Sequence, residues 1–232
     1  MKEIYLNTDQ TRCGKPLEDF VRDKSSNYDI FCFQEVPRTK VGLLKECLPG
    51  FEAVVAHKKY YGNCEYGQAT FFKKSLFLNE SGKILKNGLV GFAIWTRFNI
   101  NGSDLTIVNL HGVPQPGDKK DNNVRMKQSE MLLRFLENVK GRVIIGGDFN
   151  LDVDTKSVKM IEDAGYRNLI KDFGIKTTRN SLAWRKFQDV SGFVKQYFAD
   201  YCFVSPDVKV DNFEVPYVEV SDHLPLILDF DI

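Results

Sequence analysis

Packed β-sheets covered by a few helices, an α/β fold, are what this sequence predicts, and three observations predict them. Short apolar runs rich in β-branched and aromatic residues recur along its 232 residues, helical periodicity is confined to three segments, and no linker, repeat or low-complexity tract divides the chain. One domain spanning residues 1–232 is expected, with an apolar content of 43% to build its core.

The strand candidates run in order: EIYL at 3–6, YDIFCF at 28–33, FEAVVA at 51–56, QATFF at 68–72, LVGFAIW at 89–95, LTIVNL at 105–110, RVIIGG at 142–147, YCFVS at 201–205 and LPLILDF at 224–230. Several are almost wholly apolar and are expected to be buried on both faces. Helices are expected over 16–24, where Pro16 suits a first-turn position, over 38–48, and most clearly over 123–138. In that last segment Met131, Leu132, Phe135, Leu136 and Val139 share one helix face.

Composition narrows the function. Thirty-two basic against 31 acidic residues leave a net charge of +1, which is not the footprint of a dedicated nucleic-acid binder. A phosphate substrate stays open, because a local patch or a bound metal can supply the positive field. The five cysteines (Cys13, Cys32, Cys47, Cys64 and Cys202) form no C-x-x-C pair, which argues against a zinc or redox motif. Cys32 and Cys202 sit in apolar runs as inert core residues. The stretch MKEIYLNTDQ has no signal-peptide character, and no run of about 18 apolar residues is present to span a membrane. The expectation is a reduced, cytoplasmic monomer without membrane insertion.

Acidic, amide and imidazole groups gather at the ends of the apolar runs, where a core has no use for them. Asn7 ends EIYL, Gln34 and Glu35 follow residues 30–33, and His111 ends LTIVNL. Asp148 and Asn150 follow VII in GGDFN, Asp200 opens DYCFV, and Asp222 with His223 precedes the final run. Polar groups at strand ends collect along one sheet edge, a usual place for an active site. The set suits phosphoryl chemistry. Glu35 is a candidate anchor for a hard cation such as Mg²⁺ (or Mn²⁺), with Asp9 or Asp222 assisting. Asp148 can orient or deprotonate water, Asn150 can hold that water or a phosphate oxygen, and His111 or His223 can donate to the phosphate or leaving group.

Each feature has an ordinary alternative. D-x-N caps turns, Gln34-Glu35 can simply precede the turn at Pro37, and Ser221-Asp222 can be a cap beside a satisfied histidine. His57, in AHKKYYGNC, reads as a loop residue, and Lys58-Lys59, Lys73-Lys74 and Lys119-Lys120 read as solvated pairs. The argument for function rests on the set, because all of these groups end apolar runs in one chain.

The ordered motifs Asn7-x-Asp9, Gln34-Glu35, His111, Gly147-Asp148-Phe149-Asn150, Asp200-Tyr201 and Ser221-Asp222-His223 resemble the endonuclease/exonuclease/phosphatase superfamily, deoxyribonuclease-like and exonuclease III-like. The resemblance spans residues 7–223 and implies a four-layer α-β-β-α sandwich, two mixed sheets face to face with helices outside. It implies roles as well. Glu35 would be the main metal ligand with Asp9 and Asp222 nearby, and Asp148 would activate water, assisted by Asn150 and Asn7. His223, hydrogen-bonded to Asp200, would contact the scissile phosphate. His111 would be a general acid or a phosphate clamp, with Gln115 in reach of the phosphate. Glu65 or Gln68 would orient His111.

Substrate choice falls to the loops. Residues 177–197 hold Arg179, Trp184, Arg185, Lys186, Phe187, Phe193, Lys195 and Tyr197, a composition that suits a nucleic-acid-facing loop with Arg185 and Lys186 as backbone contacts. The same residues equally suit a core Trp184 with solvated charges. A phosphodiesterase acting on nucleic acid is the favoured expectation. A phosphatase for a small molecule or lipid headgroup comes next, and a catalytically inactive binding module on the same scaffold last.

Overall fold

Alternation along the first strand sets the layers. In β1 (Lys2–Asn7), Ile4 and Leu6 pack beneath helices, while Tyr5 joins the layer between two sheets. The structure, a computed structural model, describes residues 1–59, 65–85, 91–187 and 189–232. After β1 come α1 (Lys15–Ser25), β2 (Ile30–Gln34), α2 (Val41–Cys47), β3 (Phe51–Lys59), β4 (Glu65–Lys73), β5 (Leu78–Ile84), β6 (Phe92–Ile100) and β7 (Ser103–His111). The second half holds α3 (Asn123–Leu136), β8 (Arg142–Asp148), α4 (Lys156–Asp163), β9 (Arg167–Asn168), α5 (Leu169–Asp172), α6 (Ser181–Trp184), β10 (Asp200–Val204), β11 (Lys209–Glu214) and β12 (Leu226–Asp231).

Two six-stranded sheets form, ordered β11-β12-β1-β2-β4-β3 and β5-β6-β7-β8-β10-β9. Each is mixed, because β1–β2 and β7–β8 pair parallel among antiparallel neighbours. Tyr5, Ile30, Cys32 and Phe72 of the first meet Ile107, Ile144, Cys202 and Val204 of the second in one apolar layer. Leu17 and Val21 of α1, with Leu44 and Cys47 of α2, cover the outer face of the first sheet against Phe31, Phe33 and Phe71. On the second sheet, Phe135 of α3 packs on Trp95 with ring centroids 5.5 Å apart. This is the four-layer sandwich that the resemblance implied, and β2 is buried throughout and β8 in all but its first residue, as the apolar runs required.

Several local expectations shift. The helix expected over 38–48 is a 3-10 turn, Arg38–Lys40, leading into α2. The sequence missed β5, β9 and β11, which are edge strands whose polar, exposed residues give no apolar run to read. His57 belongs to β3 and pairs in register with Gly67, so it is not a loop residue. A Cβ on Gly67 would lie 2.5 Å from the His57 ring, which explains the glycine there. Residues 89–90 of the run LVGFAIW, and Cys64, lie outside the described residues.

Candidate active site

Strand register brings the polar strand ends together. Asn7 pairs with Gln34 across β1 and β2, His111 with Asp148 across β7 and β8, and Asp148 with Asp200 across β8 and β10. All five lie at one rim of the two sheets. Two glycines permit close approaches here, one between the sheets and one between neighbouring strands. Gly146 leaves space for the Tyr5 ring, 2.6 Å from where a Cβ would stand. Gly147 has φ +125°, and a Cβ there would lie 2.2 Å from the Leu110 carbonyl oxygen. Beyond the strands, the backbone takes positive φ at Asp9 (43°), Glu35 (54°), Lys119 (56°) and Asn150 (56°). Such conformations cost energy in non-glycine residues and persist where the surroundings fix them, often at functional sites.

Asp148 is the hub. The Asn7 amide Nδ2 donates to its Oδ2 at 2.9 Å and reaches Glu35 Oε1 at 3.2 Å, holding the two carboxylates side by side. His111 Nε2 lies 3.5 Å from Glu35 Oε1 and 3.7 Å from Asp148 Oδ2. On the other side His223 Nε2 stands 3.7 Å from Asp148 Oδ2, and its Nδ1 meets the Asp200 carboxylate at 2.9 Å. Burial alone would raise the Asp148 carboxyl, but His223, Lys119, His111 and Arg179 outweigh it and hold the group at about 2. For His223, burial and Arg179 push the imidazole down while Asp200, Asp222 and Asp148 push it up, and the carboxylates win, so its pKa is raised.

Among the described residues, two clusters place ligand atoms within 4.8 Å of one another: Glu35–His111–Asp148 and Asp148–Asp200–His223. The first, with Glu35 open to the cleft, joins two carboxylates to an imidazole and fits a divalent cation completed by water. Asp9 and Asp222, expected as further ligands, belong to neither cluster. Asp9 Oδ1 pairs with Arg12 at 2.9 Å and Asp222 Oδ2 with Arg179 at 2.7 Å, though both line the same cleft.

Comparison with known proteins decides the family. Residues 10–223 match the Endonuclease/Exonuclease/phosphatase family. The chain belongs to that family. Its fold is similar to a Bacteroides thetaiotaomicron mannosyl-6-phosphatase (18% identity, 100% of each chain, TM-score 0.77). It is also similar to the human Nocturnin catalytic domain with a bound sulfate anion (21% identity, 100% of this chain and 93% of that one, TM-score 0.74). A third similar structure is D. rerio TDP2 complexed with single-strand DNA product (18% identity, 100% and 99%, TM-score 0.71). No curated protein sequence matches. Within the endonuclease/exonuclease/phosphatase family the chain is therefore a phosphoester hydrolase, and enzymes of the family use divalent metals.

The cleft beside this cluster, of about 670 Å³, runs from Glu35, Asp148 and His223 to a wall of Ala183, Trp184, Phe187, Phe193 and Val194. Gln115 lines it as expected, and Trp184 is half-buried at its edge instead of packing in the core. Arg185 does not line it: the side chain is exposed and turns to Ser181 Oγ at 3.2 Å and Glu219 at 3.7 Å. The side chain of Lys186 lies outside the described residues. Glu65 is engaged by Arg38 at 2.8 Å and Gln68 donates to the Phe92 carbonyl at 2.8 Å, while Glu35 and Asp148 are acids beside His111 Nε2.

Two cations in the cleft were missed as site residues. The Arg179 backbone forms an antiparallel β-bridge with His223, and its side chain pairs with Asp222. Lys119, read as a solvated residue, is 6% exposed, and its Nζ donates to Asn150 Oδ1 at 2.7 Å. Lys120 beside it is exposed and pairs with Asp152. The loop that carries Lys119 is pinned by buried Arg125 of α3, which donates to Lys120 O at 2.6 Å, Asp118 Oδ1 at 3.1 Å and Pro116 O. Those contacts span only five to nine residues, but no periodicity in the sequence signals them.

Proposed function

We propose that this protein hydrolyses phosphate esters of compact molecules with Mg²⁺ or Mn²⁺, using the cluster around Asp148. Glu35 and Asp148, with His111 beside them, would hold the cation, which when bound polarises phosphate oxygens and neutralises developing charge. Asp148, ionised at neutral pH, orients the attacking water and accepts its proton. Asn7 fixes the spacing of the two carboxylates through its forked amide contacts. His223, charged and oriented by Asp200, donates from Nε2 to a phosphate oxygen as negative charge builds. Asp9, Asp222 and Gln115 border the same space and contact the ester or its water.

The shape of the cleft carries the substrate reading. At about 670 Å³ it has the size of a small-ligand pocket. Gln196 Nε2 donates to Gly117 O, joining the two loops that flank it. Among the described residues, the basic side chains lining it are Lys119 and Arg179, and Arg179 is already paired. A strand-tracking groove needs a row of phosphate-neutralising cations, and Arg185 faces away. Nucleic acid remains the second reading, favoured by the aromatic wall, on which a terminal base would stack.

A substrate panel tests both. Sugar phosphates, inositol phosphates, nucleotides, single-stranded DNA and RNA are offered with Mg²⁺ and with excess EDTA. Compact esters are expected to turn over fastest, and only with metal. Full activity in EDTA would overturn the metal reading, and preference for long strands over every compact ester would overturn the substrate reading.

A further inference from the structure

We propose that Lys119 is a positioning residue: it locks the Asn150 side-chain amide so that Asn150 offers an N–H donor, and not a carbonyl, to the substrate phosphate. A lysine ammonium has three donors and no acceptor. The atom of Asn150 that lies 2.7 Å from Lys119 Nζ must therefore be its oxygen, which makes the other arm the amide nitrogen. That nitrogen contacts Gly112 O at 3.3 Å, a long bond that uses one hydrogen. Its second hydrogen meets no acceptor among the described residues, and Asn150 lines the cleft beside Asp148. The amide consequently presents positive polarity where the phosphate oxygens of an ester would lie.

The surroundings hold Lys119 for this task. Its backbone sits at φ 56°, its carbonyl accepts from Asp152 N at 2.8 Å, and Arg125 clamps the residues on either side. Seating an ammonium at 6% exposure is costly unless it is paired, and Asn150 with the nearby charges of Asp148 and Asp200 provides the compensation. Asn150 N also donates to Asp148 Oδ1 at 2.9 Å, so Lys119, Asn150 and Asp148 form one connected unit. The inference rests on phosphoester hydrolysis as such and not on which ester is cleaved.

The test is a double-mutant cycle on bis(p-nitrophenyl) phosphate with Mn²⁺, using K119M, K119R, N150A and K119M/N150A, with melting curves to follow the fold. K119M is expected to lower kcat by about 10²-fold with little change in KM, the scale of loss that misplacement of a catalytic group produces. K119R, which keeps a donor, recovers most of that loss. In the N150A background K119M changes kcat by no more than about twofold, because its effect runs through Asn150. Multiplicative losses would overturn the proposal and make Lys119 an independent phosphate contact. NMR of the Asn150 side-chain amide in the wild-type protein gives a reading separate from turnover and from variant folding. Its Nδ2 protons are expected to shift when inorganic phosphate is added with Mg²⁺, and no response would overturn the proposal. Preference for strands over compact esters in the panel would remove the substrate reading while leaving both of these results interpretable.

Discussion

Glu3 and Asp148 are both carboxyl groups buried between the sheets, and their protonation is opposite. Glu3 shares a face of β1 with Tyr5 and Asn7, roughly 13 Å along the strand from Asn7. Burial pushes it up to about 8, and the groups against it are Cys32 and Tyr5, whose own pKa values burial raises well above the ordinary range. Asp148, just as buried, is held at about 2 by converging cations. Burial is common to both, so burial does not make a site. What separates them is where His223, Lys119, His111 and Arg179 point. One end of the layer keeps a neutral acid with no cation against it among the described residues; the other keeps a charged one beside an open cleft.

Removing the charge at the hub should produce the largest effect. Asp148→Asn keeps the shape but leaves the surrounding cations without their common partner and water without a base. Turnover of bis(p-nitrophenyl) phosphate is expected to fall by about 10²- to 10⁴-fold. A loss under threefold would show that Asp148 is as silent as Glu3 and would erase the contrast.

The mirror experiment is Glu3→Gln, read as stability and not activity. The folded carboxyl is raised above its ordinary 4.5 to about 8, so below about pH 4.5 it is protonated in both states and exacts no penalty. As pH rises toward 8 the unfolded chain ionises while the folded chain cannot, and stability drains away. The glutamine variant lacks this loss. Denaturation in urea at pH 5 and pH 8 should show wild type losing on the order of 3 kcal/mol relative to the variant, at about 1.4 kcal/mol per unit. Parallel pH profiles would mean that Glu3 is ionised and compensated, like Asp148. Activity should be untouched.

A smaller effect is expected when the cation is tuned and not removed. Asp200→Asn takes away a carboxylate that raises His223. The active imidazolium is lost as pH rises through the histidine pKa, so lowering that pKa moves the basic limb of the kcat profile to lower pH. Activity should drop about tenfold at pH 8 and much less at pH 6. NMR titration of the three histidines follows the cause directly. An unmoved His223 would make His111 the phosphate donor.

The sequence disclosed the site better than it disclosed the site's neighbours, and the reason is physical. Asn7, Glu35, His111, Asp148, Asp200 and His223 stand at the ends of apolar strands, where one-dimensional pattern and three-dimensional position coincide. The buried strands were legible for the same reason, while polar edges such as β5 and β11 were not. Lys119 was hidden because the loop that seats it is held by Arg125 and Asp152, residues with no periodic pattern linking them to it. Arg185 misled in the opposite sense: a basic residue among aromatics looks like a contact, and folding turned it toward Glu219.

Arg185 also supplies the last and smallest test, because it differs from Arg179 only in where it points. The two lie six residues apart in one loop; Arg179 pairs with Asp222 at 2.7 Å and lines the cleft, whereas Arg185 is exposed with its acid at 3.7 Å. If convergence on the hub is what matters, Arg185→Ala should leave kcat/KM for the generic diester within about twofold, since exposed ion pairs contribute little. The same variant separates the two substrate readings. A cation that neutralises a strand phosphate releases a counterion, so its loss lowers the salt slope of log K for single-stranded DNA by about one. A cation facing Glu219 releases none, and the slope should stay where it is. Binding of an oligonucleotide measured between low and moderate salt decides the matter. A slope reduced by one unit would bring Arg185 back into the substrate path and lift nucleic acid above the compact ester.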